Sequence, residues 1–197
     1  MVTIVQSAFH NRTLAKNITW KTEVLILKVY GVDFQGVGLV EFLWKTMAGI
    51  LNLCFTLAIR FHDALHGFWA YRRTRTAALK AKLIQPLMYM RDLFLCEIFM
   101  DLQKAYDALY WYKCLEILSK YGVVPRVIRI IWTYWVWLII LAKSGGYYET
   151  QFKGYHGVTQ GHPLTPIILN VVVDAVIRHW VTVVAATGRW ARRDLAR

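Results

Sequence analysis

Asp101 closes an apolar run, LFLCEIFM, and stands ahead of a segment with helical spacing, within the stretch FMDLQKAYD. An acid held where a strand ends and a turn begins can manage a metal ion or a substrate phosphate. In the plainer case it is a turn residue and nothing more. Alone it cannot perform two-metal chemistry, which needs carboxylates placed to bridge both ions. Partners are scarce: no two acids of the chain adjoin, and after Asp174 the only one is Asp194, inside the basic stretch RWARRDLAR.

Two other groups of residues have spacings that could do chemistry. HDALH, residues 62 to 66, sets two histidines at i and i+4 around an acid, as the zinc-binding H-E-x-x-H helix does. Here the acid is Asp63, one carbon shorter than glutamate, and no third ligand accompanies it. RRTRTAALKAK, residues 72 to 82, carries Arg72, Arg73, Arg75, Lys80 and Lys82. Such a stretch is either a solvated helix start or a track for phosphates.

The elements that would hold these groups follow from periodicity and punctuation. Residues 1 to 28 show no clear period and are left unassigned. From 29 to 45 a glycine-bearing loop is expected to run into a helix reaching about Phe61, and residues 62 to 76 read as a second loop. Leu79, Leu83, Leu87 and Met90 predict a helix over 77 to 91, in which Pro86 favours a kink or early stop. LFLCEIFM is short, apolar and turn-bounded, the pattern of a buried strand. A helix is expected from Asp107, as its N-cap, to Tyr121, ended by Gly122 and Pro125. Pro125 then opens a helix to about Trp135, Ser144 to Gly146 turn a hairpin with strands near 137 to 143 and 147 to 152, and a last helix spans about 166 to 182. This order is an α+β layout.

Four blocks then resemble one family. FMDLQKAYDALYWYKCLEILSKYGV resembles the first catalytic motif of reverse transcriptases of the non-LTR retrotransposon and group II intron type. GVTQGHPLTPIILNVVVDAV, residues 157 to 176, is similar to the second palm motif, a Q-G-x-P-x-S-P core followed by an apolar helix. FQGVGLVEFLWK looks like the fingers motif, and HGFWAYRRT like the G-F-x-x-x-R-x-T block before the palm. The blocks stand in the family's order across about residues 28 to 182.

The resemblance implies a right-hand polymerase in part. Residues 29–95 would be fingers-like and 96–182 the first half of a palm, with 183–197 a basic tail and the catalytic hairpin and thumb lacking. It implies RNA-directed DNA polymerase (nucleotidyltransferase) chemistry with Mg²⁺, an RNA template, a DNA primer and deoxynucleoside triphosphates. Asp101 would be the catalytic, metal-binding carboxylate, with the backbone carbonyl of Leu102 beside it. Tyr106 would lie under the incoming sugar and exclude a 2′-hydroxyl. Gln160 and Gly161 would lie against the incoming nucleotide and its template base, and Arg72 and Arg73 would meet phosphate.

The pattern is also partly degenerate. The family's other two metal carboxylates form an adjacent pair in a [YF]-x-D-D hairpin, and this chain has no such pair. Gln35 replaces an arginine that serves the triphosphate, which removes a charge-assisted contact. Trp69, Tyr71 and Arg73 crowd a segment that is usually basic and glycine-rich, and His162 follows Q-G where Asp or a small residue is common. The expectation is a chain that does not polymerise alone. The alternatives are a basic nucleic-acid-binding remnant using Arg72, Arg73, Arg75, Lys80 and Lys82, a small membrane-associated protein, or a relic.

Composition bounds these readings. In 197 residues, 57% are hydrophobic and 18% charged, so a packed core is available and disorder is excluded. The surplus of 24 Lys and Arg over 12 Asp and Glu gives +12, which favours a polyanionic partner. Mean hydropathy is +0.35. The run from Ile130 to Ala142 would reach only about 20 Å as a helix, short of the roughly 30 Å hydrocarbon core. The run from Pro166 to Ala186 is long enough but contains Asp174, Arg178 and His179, so a membrane span is disfavoured. No signal-peptide pattern opens the chain, and Cys54, Cys96 and Cys114 read as reduced, buried thiols, so an intracellular location is expected.

Overall fold

A computed structural model describes residues 19–27, 34–69, 71–144 and 147–187. The turn glycines Gly145 and Gly146, all of the N-terminal segment before Thr19, and the stretch RWARRDLAR lie outside the described residues. The fold is α+β. Its strands are β1 (Trp20–Leu27), β2 (Phe34–Val40), β3 (Ile139–Ser144) and β4 (Tyr147–Lys153). Its helices are α1 (Phe42–Ala58), α2 (Thr74–Met90), α3 (Trp111–Lys120), α4 (Pro125–Trp137) and α5 (Thr165–Thr187).

The four strands make one mixed sheet in the order β2-β1-β3-β4. β1 pairs antiparallel with β2 from Lys21 opposite Val40 to Leu27 opposite Phe34. It pairs parallel with β3 from Trp20 opposite Ile139 to Val24 opposite Lys143. The β3–β4 hairpin is antiparallel, with an irregularity between Ala142 and Lys143. Both β1 and β2 correct the sequence reading, which assigned nothing to 20–27 and a loop to 34–40. The glycines of FQGVGLV hid a strand that is stabilised by pairing with β1 and not by its own propensity.

The chain divides into two compact units, Met1–Ile59 with Leu102–Leu169, and Arg60–Asp101 with Asn170–Arg197. In the first, three helices bury stripes at helical spacing. These are Trp44, Met47, Ala48, Leu51 and Phe55 on α1, Trp111, Cys114, Leu115 and Leu118 on α3, and Ile130, Ile131, Tyr134 and Trp135 on α4. Trp44 stacks on Tyr134 with ring centroids 3.9 Å apart, and Trp111 stacks on Trp135 at 5.8 Å. Between α3 and α4 the turn is a Schellman stop. Gly122 has φ +83°, its N–H donates to Ser119 O at 3.0 Å, and the Val123 N–H donates to Leu118 O at 3.1 Å.

α3 starts at Trp111 and not at Asp107, which lies in the preceding turn, so Asp107 is no N-cap. Residues 93–100 form no strand; they lack regular structure, and Phe94, Phe99 and Met100 are exposed. An apolar run becomes a buried strand only when neighbouring strands supply its hydrogen bonds, and none of the described strands pairs with it. Pro86 sits inside α2 without ending it. Cys54 and Cys96 are exposed, which corrects the expectation of buried thiols; Cys114 is buried, and burial pushes its thiol up to about 11.

In the second unit, α2 has no buried residue. Order comes instead from α5, where Asn170, Asp174 and Arg178 recur every fourth residue and so share a face. The Asn170 side-chain amide donates to Gly67 O at 2.9 Å, and Asp174 accepts the His62 N–H at 2.5 Å. Asp174 also accepts Arg178 Nε at 2.6 Å, and Arg178 Nη2 donates to Arg60 O at 2.9 Å. Residues Thr165–Ala186 are long and apolar enough to cross a membrane by length and composition, with this ion pair inside them.

Asp174 is fully buried, so its removal strands a backbone donor and a guanidinium. Asp174→Ala should cost about 2–4 kcal/mol. Thermal unfolding followed by circular dichroism checks it, and an unchanged midpoint would show that the cluster holds nothing.

Candidate nucleic-acid and nucleotide site

Within the first unit, two segments distant in sequence are spliced by backbone hydrogen bonds. The Val158 N–H donates to Tyr106 O at 2.9 Å, and the Gly157 N–H donates to Leu109 O at 2.7 Å. Two side chains tighten the splice: Trp111 Nε1 donates to Gly157 O at 2.6 Å, and His156 Nδ1 lies 2.8 Å from Asp107 O. A carbonyl only accepts, so His156 carries its proton on Nδ1 here. Gly157 makes the approach possible. Its φ is +82°, and a Cβ there would lie 3.1 Å from Asp107 O and 3.2 Å from Asp107 Cα.

The same loop then reaches the sheet. Gln160 O accepts the Gly38 N–H at 3.1 Å, and Thr159 Oγ1 accepts Lys21 Nζ at 3.2 Å. Gly38 in β2 has room for no side chain, since a Cβ would fall 2.0 Å from Thr159 Cγ2. Lys21 is buried and ion-pairs with Glu23 at 3.1 Å. Around this junction lies a pocket of about 290 Å³, whose polar lining includes Lys21, Glu23, Asp107, Lys153, His156 and Thr159. Two lysines are matched by two acids there, so the pocket suits a polar, hydrogen-bonding group.

His162 follows the loop inward. It is buried and stacks against Trp44 and Tyr134 with ring centroids 5.8 and 6.0 Å away. Its Nδ1 accepts the Leu164 N–H at 3.2 Å, which places the ring proton on Nε2. Burial, then the charges of Lys21 and Lys45, depress its pKa to about 3. Sequence alone marked His162 as a departure beside a nucleotide; the fold uses it as a neutral core ring.

Tyr106 and Gln160, both half-buried, are therefore brought into one junction, through Val158 and the loop that follows it. Gly161 is exposed with φ +87°, and a Cβ there would meet Gly38 O at an ordinary 3.6 Å, so backbone conformation and not crowding calls for glycine. Leu102 is exposed at the start of this unit's second segment. Asp101 is exposed, without regular structure, and belongs to the second unit. Gln35 lies in β2; its side chain is outside the described residues. Lys21, Lys153 and His156 escaped the sequence reading because no motif marks them; only strand pairing brings them to the loop.

In the second unit the basic residues divide by role. Arg72 Nη1 donates to the carbonyls of Asp63 at 2.9 Å and Leu65 at 3.0 Å, and Nη2 pairs with Asp63 Oδ1 at 2.7 Å. That hydrogen bond and charge hold the Asp63 carboxyl below the usual range. Arg72 thus closes the loop 62–72. The two histidines of HDALH take separate work, His62 donating its N–H to Asp174 and His66 Nδ1 lying 3.0 Å from Thr76 Oγ1. No group of three His, Cys, Asp or Glu residues able to hold a metal exists among the described residues. Arg73, Arg75, Lys80 and Lys82 are exposed. At about 100° per residue, Arg75 and Lys82 share one side of α2 and Lys80 lies on the opposite side, with Arg73 at the N-cap just ahead of the helix.

No family model matches the chain. It is similar to the Retrovirus-related Pol polyprotein from type-2 retrotransposable element R2DM of Drosophila melanogaster, at 22% identity over 151 residues. The match covers 74% of this chain and 14% of that protein. The chain thus spans a small part of the relative's length, and the similarity points to a retrotransposon-related origin.

Two substitutions test the junction. Gly157→Ala forces a side chain into a left-handed conformation against Asp107 and should cost at least about 1–2 kcal/mol, read as a lower melting temperature. For His162, the folded state holds the imidazole neutral down to about pH 3, whereas the unfolded chain takes up its proton near 6.5. Between those values the unfolded state binds more protons, so stability falls on acidification, by up to about 1.4 kcal/mol per pH unit. His162→Asn, whose amide oxygen can still accept the Leu164 N–H, should flatten that slope in denaturant titrations from pH 7 to 4. An identical slope in both proteins would assign the acid sensitivity to other groups.

Proposed function

We propose that the chain is a segment of an RNA-directed DNA polymerase of a non-LTR-type retroelement, inactive in polymerisation by itself. The observation that carries this reading is the splice at Gly157 and Val158. It joins the segment that follows Asp101 to the loop before α5, the two blocks that resemble the family's first and second palm motifs. The similarity to a retrotransposon polyprotein and the charge of +12 support it.

In this reading Tyr106 faces the sugar of an incoming deoxynucleoside triphosphate, and Gln160 and Gly161 border its base. Lys21, Lys153 and His156 supply hydrogen-bond donors beside them, with Glu23 and Asp107 in the same pocket. Asp101 is the metal carboxylate and Leu102 offers its carbonyl. Asp101 and the Leu102 carbonyl would hold magnesium, which would supply electrostatic stabilisation of phosphoryl charge. The described residues do not fit a two-ion site, since Asp101 is exposed and no cluster of three potential ligands accompanies it. Polymerisation therefore requires carboxylates from outside this constellation.

A second reading, a nucleic-acid-binding segment without catalysis, is favoured by α2, which buries nothing and presents cations on both sides. With opposite faces occupied, about two of the four cations Arg73, Arg75, Lys80 and Lys82 can meet one backbone at a time, so α2 and its N-cap should contribute a slope of about −2 to log K against log salt on duplex.

Primer extension by the 197-residue chain on an RNA template with Mg²⁺ is expected to give no product. Metal-dependent DNA synthesis by the pure chain would refute its inactivity. Binding of an RNA–DNA duplex is expected and should weaken steeply with salt. Absent or salt-independent binding would remove both readings.

A further inference from the structure

A groove of about 480 Å³ runs between α3 and α4 of the first unit, walled by Tyr112, Leu115 and Glu116 on one side and Ile128, Arg129 and Trp132 on the other. Beside it lies a cavity of about 280 Å³ lined by Val124, Pro125, Arg126 and Arg129, so Arg129 borders both spaces. Tyr112 is 59% exposed and Trp132 43% exposed, unusual for rings that the neighbouring stack of Trp111 on Trp135 could have absorbed. Trp132 is left as an open face on one wall, and on the other the Lys113 ammonium lies 5.4 Å from the centroid of the exposed Tyr112 ring, adding a cation beside it.

The charge around these rings has one sign. Glu116 is held by Lys113 at 3.1 Å and Lys120 at 2.8 Å, which neutralise it. Arg126 and Arg129 have no acidic partner within 4.0 Å among the described residues. Between Glu116 and Glu149 the chain contains no acid at all, while Lys120, Arg126, Arg129 and Lys143 fall within that interval. On α4, Arg126, Arg129 and Trp132 recur every third residue, a rise of about 4.5 Å per step, and so form one ridge along the groove.

We propose that this groove binds single-stranded nucleic acid, with Trp132 and Tyr112 as platforms for bases and Arg126 and Arg129 as phosphate contacts. Aromatic faces interleaved with unpaired guanidinium groups are what single strands need, because an unstacked base offers its π-face and its phosphates track the cations. A duplex hides its base faces and has no use for the rings. An apolar protein face would leave the charges of Arg126 and Arg129 without a counterpart, so a polyanion fits this surface better. The site uses no residue assigned to polymerase chemistry or to α2, so it stands apart from the function proposed above.

The test is fluorescence anisotropy of the full chain with labelled oligo-dT and oligo-U of about 20 nucleotides, longer than single-strand site sizes of roughly 4–16, and with a duplex of equal length. Trp132→Ala should weaken single-strand binding about 5- to 100-fold, and Trp132→Phe should restore most of it. Arg126→Ala with Arg129→Ala should flatten the salt slope by about 1.4. Ser119→Glu adds charge to the groove at an exposed position that disturbs no core, and should weaken binding while the melting temperature holds. Lys80→Ala with Lys82→Ala is the control on α2. If that pair abolishes binding while Trp132→Ala and Ser119→Glu bind like the parent, the groove assignment fails and the α2 reading stands. Duplex binding that Trp132→Ala weakens as much as it weakens single-strand binding, or single-strand binding unaffected by any groove variant, also overturns it. No oligonucleotide binding at all, with Trp132→Ala instead dissolving a dimer, would make the groove a self-association surface and overturn the assignment as well.

Discussion

Two backbone hydrogen bonds, from Gly157 and Val158 to Leu109 and Tyr106, fix the geometry of the first unit. They exist because residue 157 has no side chain, since a Cβ there would press on the Asp107 backbone. Everything the loop carries afterwards inherits its position from this contact. Gln160 reaches β2, Thr159 reaches Lys21 on β1, and His162 turns inward onto Trp44 and Tyr134. A pocket with balanced lysines and acids results from packing at a glycine, and its lining comes from four separate segments.

In the second unit, polar contacts accompany a small apolar set that includes the buried Leu65 and Val171 and the edge contact of Phe61 with Trp69. α2 buries none of its residues. Loop 60–72 is held by Arg72 from within and by Asn170, Asp174 and Arg178 from α5. A carboxylate at zero exposure is tolerable only where charge and donors surround it, and Asp174 has both. The same need explains why the basic block splits. Arg72 is committed to carbonyls and Asp63, while Arg73, Arg75, Lys80 and Lys82 remain at the surface.

These two arrangements place the chain's positive charge in distinct settings. Lys21 is buried beside a loop that would border a nucleotide, the α2 cations face water, and Arg126 and Arg129 flank open aromatic rings. Coulomb attraction to a polyanion is common to all three, but only the setting decides what the anion is attached to. For a chain with a retrotransposon-related origin, these are separate physical opportunities, each with its own salt and stacking signature.

Local chemistry was legible in the residue order wherever one segment suffices to define it. The stripe from Leu79 to Met90 marked α2, Gly122 with Pro125 marked the stop of α3 and the start of α4, and SGG marked the β3–β4 hairpin. The motif residues around Asp101 and Gln160 were legible as resemblance. Partnership was not. β1 and β2 are strands because they pair, and the parallel pairing of β1 with β3 joins residues more than a hundred positions apart. LFLCEIFM, with a strand's composition, stays irregular where no described strand pairs with it. Lys21, Lys153 and His156 enter the pocket only through that pairing and the splice at Gly157. Periodicity and turn chemistry act over a few residues, so sequence by itself determined the helices and the turns. Hydrogen-bond satisfaction and side-chain burial act across the fold, so tertiary structure alone decided which runs are strands, which histidine is core and which cations face solvent.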